Sequence, residues 1–474
     1  MRRFDVAVVG GGIAGTTAAT EAARFGLSVA LIEREKIGGV GLWSGAVPTK
    51  ALLACASVAD TVRRAAGFGI RVGRVETDFA AVLDRVRTVV RAIHPRASPE
   101  RIRSLGIETM IGDASFTDRR TLAVGHETIE AKRIFLATGC RPSIPQVDGL
   151  VETGHRTHRD ILEIPRLPAR LVVIGGGPEG VEFAQAFARL GSQVTLVEQA
   201  DRILGEEDAE LAILLGEALG REGVVLLTKA QVVEVLRRGD AKVVAVRVGE
   251  ERREIEVDEI LVSAGRVPNI ETLNLGATEI ETTRTGIVAD RRLRTTQSRV
   301  WAIGDVNGLL KWARAAEIQA RVAVHDAIFP WRTPVDPQDQ AWAIYTDPEL
   351  AHAGMTEEQA RRKWGDDVRV YRQAFGDVDR AVCLATTVGQ AKIVCDDRHR
   401  IVGGHILAAH AGEILPALAR AVAARDRPQA LAACLHAYPT LSDGVLLAAR
   451  QAYEAEAYGP GRLKMLSRFA RWHV

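Results

Sequence analysis

Two glutamates and one lysine occupy positions where they could act on a bound nucleotide. Glu33 and Glu198 each follow the first glycine of a Gly-x-Gly-x-x-Gly motif by 23 positions. A carboxylate at this spacing can accept a hydrogen bond from a ribose hydroxyl. Lys50 closes a glycine-rich stretch, residues 38–50, predicted to be a loop whose backbone can approach a flat ligand closely. The chain therefore carries two candidate nucleotide sites and one candidate cationic group.

Both motifs lie in the setting that a dinucleotide-binding fold requires. An apolar strand from Phe4 to Val9 precedes the first motif, a helix follows it, and a second strand ends in Glu33. The second motif has the same order, with a strand from Leu171 to Ile174 and a further strand ending in Glu198. The helix N-terminus after each motif presents free N–H groups to a pyrophosphate. Two complete motifs predict two bound dinucleotides, held at Gly10, Gly12, Gly15, Gly175, Gly177 and Gly180.

The acid at the second motif also predicts which nicotinamide cofactor binds. A 2′-phosphate on the ribose would be repelled by Glu198, and no arginine stands at or immediately after that position to receive it. The second nucleotide is therefore predicted to be NAD(H) rather than NADP(H).

Composition narrows the class of protein. A chain of 474 residues is too long for one ordinary core, so two to four domains are expected. The net charge is +2, without the basic excess that would indicate a nucleic-acid partner. We find no unbroken apolar span long enough to cross a bilayer. The five cysteines show neither a C-x-x-C pair nor metal-ligand spacing, so we expect buried thiols in a reducing cytoplasm and no metal site.

The stretch from Gly38 to Lys50 resembles the active-site segment of the two-dinucleotide flavoprotein disulfide reductases. That family includes dihydrolipoamide dehydrogenase, mercuric reductase and glutathione reductase. Its segment reads G-G-T-C-L-N-V-G-C-I-P-S-K, and the two cysteines form the disulfide that reduced flavin attacks. In this chain the cysteine positions hold Gly41 and Ala46. The resemblance covers nearly the whole chain, and only the redox residues depart from it.

The resemblance implies an α/β fold class with two Rossmann-like dinucleotide-binding domains, for FAD and NAD, and a C-terminal α+β dimerisation domain. It also implies a homodimer with FAD and NAD(H) as cofactors. The implied domains are the first part of the FAD-binding domain (1–146), the NAD-binding domain (147–268), the central part of the FAD-binding domain (269–336), the dimerisation domain (337–452) and a C-terminal tail (453–474).

Residues outside the glycine motifs gain roles from the same resemblance. Thr138 and Gly139 match the strand and turn that close the first domain. Asp305 matches the aspartate that holds the ribityl chain of the flavin. Lys50 and Glu182 match the lysine beside the flavin and the glutamate that pairs with it, so the part that meets NADH looks intact.

Two further positions match catalytic residues of the family but differ in type. Tyr438 stands where relatives have the histidine that reaches across the dimer to protonate the thiol, and Asp443 replaces the glutamate that orients it. A tyrosine, with an ordinary pKa near 10, is a poor general base at neutral pH but a serviceable hydrogen-bond donor. Gly41 and Ala46 can form no thiolate. Both cysteines and the histidine are thus absent together.

This coordinated loss predicts an FAD-dependent NADH:acceptor oxidoreductase that passes electrons directly from flavin to a quinone, a dye, oxygen or another nucleotide. One alternative is an NAD(P) transhydrogenase, because one branch of the family also has a tyrosine before its Pro-Thr. The other is a flavin-binding protein without turnover. Steady-state NADH consumption with a panel of acceptors distinguishes the three.

Three features leave alternatives open. Cys55, just over one helical turn beyond Lys50, is predicted to pack rather than to replace the missing thiols. Glu179, where relatives usually have an aliphatic residue, either tunes the nicotinamide side or faces solvent. Residues 462–474 form a basic amphipathic pattern, which fits either an interfacial membrane anchor or a helix that docks on the protein itself. The predicted location is cytoplasmic, with peripheral contact to the inner face of the membrane if the tail is an anchor.

Overall fold

The computed structural model describes residues 1–329 and 340–458, and beyond them Leu463, Ser467, Arg468, Ala470 and Arg471. The tail with the basic amphipathic pattern lies largely outside the described residues. Its contact with a membrane therefore stays a prediction.

Helices and strands alternate along the first half of the chain, as the two motifs require. The α-helices are α1 (Ile13–Arg24), α2 (Gly39–Trp43), α3 (Ala46–Arg64), α4 (Phe79–Ile93), α5 (Pro99–Arg103), α6 (Leu150–Thr153), α7 (Pro178–Leu190), α8 (Ala209–Arg221), α9 (Ala313–Ile328), α10 (Glu357–Trp364), α11 (Asp379–Cys383), α12 (Ala411–Ala423), α13 (Pro428–Ala432) and α14 (Asp443–Ala457). The strands are β1 (Arg2–Val9), β2 (Val29–Glu33), β3 (Glu108–Ile111), β4 (Ala114–Phe116), β5 (Thr121–Val124), β6 (Glu127–Leu136), β7 (Cys140–Pro142), β8 (Arg170–Ile174), β9 (Gln193–Val197), β10 (Val225–Leu227), β11 (Ala230–Arg238), β12 (Ala241–Val248), β13 (Glu251–Val257), β14 (Glu259–Val262), β15 (Arg266–Pro268), β16 (Thr282–Thr283), β17 (Gly286–Ile287), β18 (Val300–Ala302), β19 (Ala341–Ile344), β20 (Glu349–Gly354), β21 (Arg369–Ala374), β22 (Gln390–Cys395) and β23 (Ile401–Ala408).

The chain divides into two compact units. The first comprises Met1–Gln199 and Lys229–Pro337, and the second comprises Ala200–Thr228 and Gln338–Val474. The finer division into four domain segments and a tail stays a prediction.

The main sheet of the first unit has the order β3-β2-β1-β6-β5-β4, with β18 also paired to β6. β1 runs parallel to both β2 and β6. Its residues Val6 to Val9 are buried. Because parallel strands end at the same edge of a sheet, Gly10 after β1 and Glu33 at the end of β2 come close together. The sheet thereby assembles the first motif.

The second motif is assembled in the same way. β8 pairs in parallel with β9 on one side and β14 on the other. Gly175 directly follows β8, and Glu198 directly follows β9. The first unit also contains the antiparallel sheet β11-β12-β13 and the antiparallel pair of β7 with β15.

The second unit is built on an antiparallel sheet of the order β19-β20-β23-β22-β21. Its buried core includes Phe375, Ile393 and Leu418, with apolar residues of α12 and α14 packed around them. With the parallel sheets of the first unit, this arrangement gives the mixed α/β fold that the sequence predicts.

Residues 38–50 are not the loop that the glycines predict. Two helices, α2 and α3, occupy most of this stretch. Gly38 and Gly39 have φ of +112° and +59°, which allows the chain to turn sharply into α2. Pro48 lies in the first turn of α3, where its missing N–H has no helical partner to lose. Lys50 is consequently fixed on a rigid helix.

Candidate active site

The first glycine motif is held by close backbone contacts. A Cβ at Gly10, which has φ of +108°, would lie 2.3 Å from the Ala137 carbonyl oxygen, and one at Gly15 would lie 1.7 Å from the Gly10 carbonyl oxygen. Gly12 has room, because its Cβ would meet only the Gly39 Cα at 3.9 Å. Gly10 and Gly15 are therefore required by the fold, whereas the space at Gly12 suits the close approach of a pyrophosphate.

The second motif repeats this geometry. A Cβ at Gly175 would lie 2.4 Å from the Ser263 carbonyl oxygen, and one at Gly180 would lie 2.0 Å from the Gly175 carbonyl oxygen. Nothing lies within 4 Å of a Cβ at Gly177. The helix α7 begins at the next residue, so its free N–H groups face the open side of the turn.

Both predicted acids lie against their glycine turns. Glu33 Oε2 accepts a hydrogen bond from the Gly11 N–H at 2.6 Å, and Glu198 Oε2 accepts one from the Gly176 N–H at 2.7 Å. These bonds fix each carboxylate at the edge of the sheet where the adenosine ribose of a dinucleotide would lie.

The segment after β6 and the segment after β15 are joined by hydrogen bonds. The Thr138 hydroxyl donates to the Asn269 carbonyl oxygen at 2.6 Å, and the Asn269 N–H donates to the Gly139 carbonyl oxygen at 3.0 Å. Asp305 lies in the short helical turn Gly304–Asn307 that follows β18, where its Oδ2 accepts from the Cys140 thiol at 3.0 Å and faces the Arg266 guanidinium at 3.4 Å. Both contacts use Oδ2, which leaves Oδ1 as the oxygen for a ribityl hydroxyl.

Lys50 and Glu182 form the ion pair that the family resemblance implies. Lys50 Nζ lies 2.7 Å from one carboxylate oxygen of Glu182 and 2.9 Å from the other. Glu182 is only 5% exposed, and Lys50 is 36% exposed. Glu182 therefore does not lie on a solvated helix face, and the contact with the ammonium offsets the cost of burying its charge.

The two positions that the resemblance aligns with the family cysteines differ in their surroundings. A Cβ at Gly41 would lie 2.9 Å from Ile13 Cδ1, and Ala46 is exposed. Cys55 is half-buried, and burial raises the pKa of its thiol. A thiol with a raised pKa is a weak nucleophile at neutral pH.

The expectation that all five thiols are buried is wrong. All five lie within the described residues and none is in a disulfide; Cys140 and Cys395 are buried, while Cys383 and Cys434 are exposed. The exposed pair lies at or just beyond the ends of the short helices α11 and α13, whose amphipathic pattern is too brief to read from the sequence. Burial, together with the charge of Asp305, raises the pKa of Cys140 to about 12, so this thiol stays protonated.

Tyr438 and Asp443, the two candidate catalytic residues of the C-terminal region, lie in the second unit with different hydrogen-bond partners. The Tyr438 side chain is about 75% exposed, and its hydroxyl donates to Asp379 Oδ2 at 2.6 Å. That bond raises the pKa of Tyr438 above its ordinary value. Asp443 instead accepts from the Thr440 N–H at 3.2 Å. Asp379 carries no local signal in the sequence, because it approaches from a separate helix.

Glu179 does not face solvent. It is 18% exposed and contacts His158 and Arg266. Within the described part of the chain we find no group of three or more His, Cys, Asp or Glu side chains that could hold a metal ion.

The residues present fit two dinucleotides. Gly12 and Glu33 would hold the first, with the free Oδ1 of Asp305 on its ribityl chain, and Gly177 and Glu198 would hold the second. Both sites combine an uncrowded glycine, a helix N-terminus and a fixed acid.

Comparison with known proteins decides the family. Residues 4–323 match the family described as pyridine nucleotide-disulphide oxidoreductase, and residues 340–449 match the dimerisation domain of the same family. The chain belongs to this family. Its cofactors are accordingly FAD and a pyridine nucleotide, and the predicted family and fold class are confirmed.

Individual relatives cover nearly the whole chain. A mercuric reductase from Lysinibacillus sphaericus is 32% identical over 94% of this chain and 82% of its own length. A dihydrolipoyl dehydrogenase from Bacillus subtilis is 30% identical over 93% of this chain and 96% of its own. The structure of the HOCl-induced flavoprotein disulfide reductase RclA from Escherichia coli, as its Cu(II) complex, has a TM-score of 0.84 and 27% identity, covering 95% of this chain and 100% of that one.

Proposed function

We propose that this protein is an FAD-dependent NADH:acceptor oxidoreductase that delivers electrons from flavin directly to its acceptor, without a disulfide relay. One observation carries the proposal. The Lys50–Glu182 ion pair is complete at 2.7 Å, while Gly41 and Ala46 offer no thiol on the helices that carry and precede Lys50. The chain therefore has the ion pair that would act with the reduced nicotinamide, but it has no cysteine pair that would receive electrons from the flavin.

The roles of the residues follow from their contacts. FAD held at the first site would supply the two-electron chemistry between the reduced nicotinamide and a second substrate. Lys50 supplies a fixed positive charge that favours an anionic reduced cofactor, and Glu182 offsets its burial. Tyr438, held by Asp379, acts as a hydrogen-bond donor and not as a base.

The acceptor is proposed to be a small oxidant that reaches the cofactor without thiol chemistry. The names of the relatives include mercuric reductase and flavoprotein disulfide reductase. A chain with Gly41 and Ala46 in place of the thiol pair should handle such substrates poorly. A flat quinone, a dye or oxygen needs only access to the cofactor face that the disulfide would cover.

Assembly and location complete the proposal. The match of residues 340–449 to the dimerisation domain supports a homodimer, and we propose a cytoplasmic location. One helical stretch, Gly39–Phe68, is long and apolar enough to cross a membrane by length and composition alone. It carries Lys50, whose ammonium is bound to Glu182 of α7, so we propose that within the described residues this stretch packs on the protein and does not span a membrane.

A panel of acceptors tests the proposed function. The purified holoprotein should oxidise NADH with quinones, dyes or oxygen, and should turn over lipoamide, glutathione disulfide and mercuric ion poorly. A Cys55→Ala variant serves as the control and should keep all rates. Robust lipoamide turnover that is lost in Cys55→Ala would contradict direct transfer. Reduction of NADP⁺ by NADH would favour a transhydrogenase, and no turnover would favour a binding protein.

A further inference from the structure

Glu179 is a half-buried acid in the first turn of α7, the helix whose N-terminus would receive the second nucleotide. It is the second residue of α7. His158 Nδ1 lies 3.1 Å from its carboxylate, and the Ser263 hydroxyl donates to it at 3.3 Å. Although burial alone would raise the pKa of Glu179, His158 and Arg266 hold it below its ordinary value, so the carboxylate is charged.

Arg266 lies between this acid and the acid of the flavin site. Its Nη2 is 3.4 Å from Glu179 Oε2, and its Nη1 is 3.4 Å from Asp305 Oδ2. The guanidinium of Arg266 is one third exposed. The backbone carbonyl oxygen of Arg266 accepts a hydrogen bond from Lys311 Nζ at 3.1 Å. A planar guanidinium with several donors can serve two carboxylates at once, which an ammonium cannot do equally well.

The position of Glu179 creates an electrostatic problem for nucleotide binding. The N-terminus of α7 attracts a pyrophosphate through its free N–H groups and its dipole. A charged carboxylate in the same turn repels that pyrophosphate unless a cation neutralises it. Within the described residues that contact Glu179, Arg266 is the cation in reach, together with His158 when its ring is protonated.

We propose that Arg266 is a shared counter-charge of the two nucleotide sites: it neutralises Glu179 at the second site and positions Asp305 at the flavin site. Arg266 is thus a positioning residue for both dinucleotides. Glu179 is the reason why the second site needs it. The inference rests on the two nucleotide sites and not on the identity of the acceptor.

Binding measurements on holoprotein variants test this inference without any turnover. NAD⁺ affinity is measured by calorimetry on the oxidised protein, and FAD release on dilution is measured by flavin fluorescence. Arg266→Gln should weaken NAD⁺ binding about tenfold and speed FAD loss, because it leaves two charged acids without their partner. Glu179→Gln alone should bind NAD⁺ at least as tightly as the native protein.

The double variant is decisive. Glu179→Gln/Arg266→Gln should restore NAD⁺ affinity to within about twofold of the native value, since the repelling charge is gone, but should not restore FAD retention. Arg238→Gln is the matched control. This arginine of β11 pairs with Glu254 of β13, both side chains are exposed, and its loss should change neither affinity.

Two outcomes overturn the proposal. One is that Arg266→Gln leaves both affinities unchanged. The other is that the double variant binds NAD⁺ as weakly as Arg266→Gln alone, which would make the arginine a purely structural residue. If Arg266→Gln does not fold, Arg266→Lys replaces it. Its single ammonium should still weaken NAD⁺ binding, and Glu179→Gln in that background should restore it.

Discussion

Individual residues were predictable where their role depends on local spacing. Glu33 and Glu198 follow their motifs at a fixed interval, and each lies on the N–H of its glycine turn. Arg266 and Asp379 were missed as partners. Each meets its partner across a separation of 39 to 87 positions that no local pattern records. Sequence spacing thus places the two carboxylates at their glycine turns, but it does not indicate which side chains from distant segments contact Asp305, Glu179 or Tyr438.

At the residue scale, we propose that Glu198 decides the cofactor preference. NADH should be preferred over NADPH by a factor on the order of 10²–10³, because a 2′-phosphate loses a hydrogen bond and meets a negative charge. In Glu198→Gln, which removes the charge but keeps a hydrogen-bond acceptor, the ratio of the two kcat/KM values should fall markedly. Glu33→Gln is the control and should affect FAD retention instead. Equal efficiencies in the native protein would contradict the role of Glu198.

Secondary-structure elements were predictable where a strand, a glycine turn and a helix follow one another. β1 begins two residues before the predicted strand and ends with it at Val9, and α1 begins within the first motif. Residues 38–50 were predicted as a loop because glycines weaken any helix. The packing of α2 and α3 outweighs that propensity, so tertiary contacts decide this stretch and no local signal could.

Variants of Gly180 in α7 and of Gly177 in the turn before it distinguish an effect on stability from an effect on nucleotide binding. Gly180→Ala should destabilise the protein, because the new Cβ would lie 2.0 Å from the Gly175 carbonyl oxygen. Gly177→Ala meets nothing within 4 Å and should leave the melting temperature unchanged. It should still weaken NAD⁺ binding, because the methyl group occupies the space that a pyrophosphate needs. Calorimetric melting and NAD⁺ titration of both variants check this. Unimpaired NAD⁺ binding in Gly177→Ala would show that the nucleotide lies elsewhere.

A buried histidine on β23 makes the second unit sensitive to acid. His405 Nε2 lies 3.0 Å from the Met355 carbonyl oxygen, and its ring packs edge-on against His352, whose Nδ1 lies 2.7 Å from Glu207. Burial, reinforced by His352, lowers the pKa of His405 to about 4, against opposing contributions from Asp208 and Glu207. No sequence pattern predicts this cluster, because its members come from separate strands and a preceding loop.

Stability should therefore fall as the pH drops from about 6.5 to about 4. In this range the unfolded chain binds a proton at His405 and the folded chain does not, at a cost of about 1.4 kcal/mol per unit of pKa depression. The melting temperature of His405→Gln should fall less between pH 7.5 and pH 5 than that of the native protein. His126→Gln, at an exposed position, is the control. An equal fall in all three proteins would rule out His405 as the cause.

At the scale of the whole molecule, the chain has the fold and the cofactors of its family. The relatives include proteins named as mercuric and disulfide reductases. The family resemblance of residues 38–50 places Gly41 and Ala46 where those reductases are expected to have cysteines. The family motifs made the fold class predictable over almost the entire length. The acceptor was not predictable. The absence of the cysteine pair argues against disulfide chemistry, but it does not indicate which acceptor is reduced instead.

Anaerobic titration of the oxidised holoprotein with NADH tests direct transfer most directly. A protein without a redox-active thiol pair stores electrons only on its flavin. Reduction should end at two electrons per FAD, and the flavin should bleach without the long-wavelength thiolate-to-flavin charge-transfer band. Uptake of four electrons per FAD with that band present would show a working disulfide and rule out direct transfer.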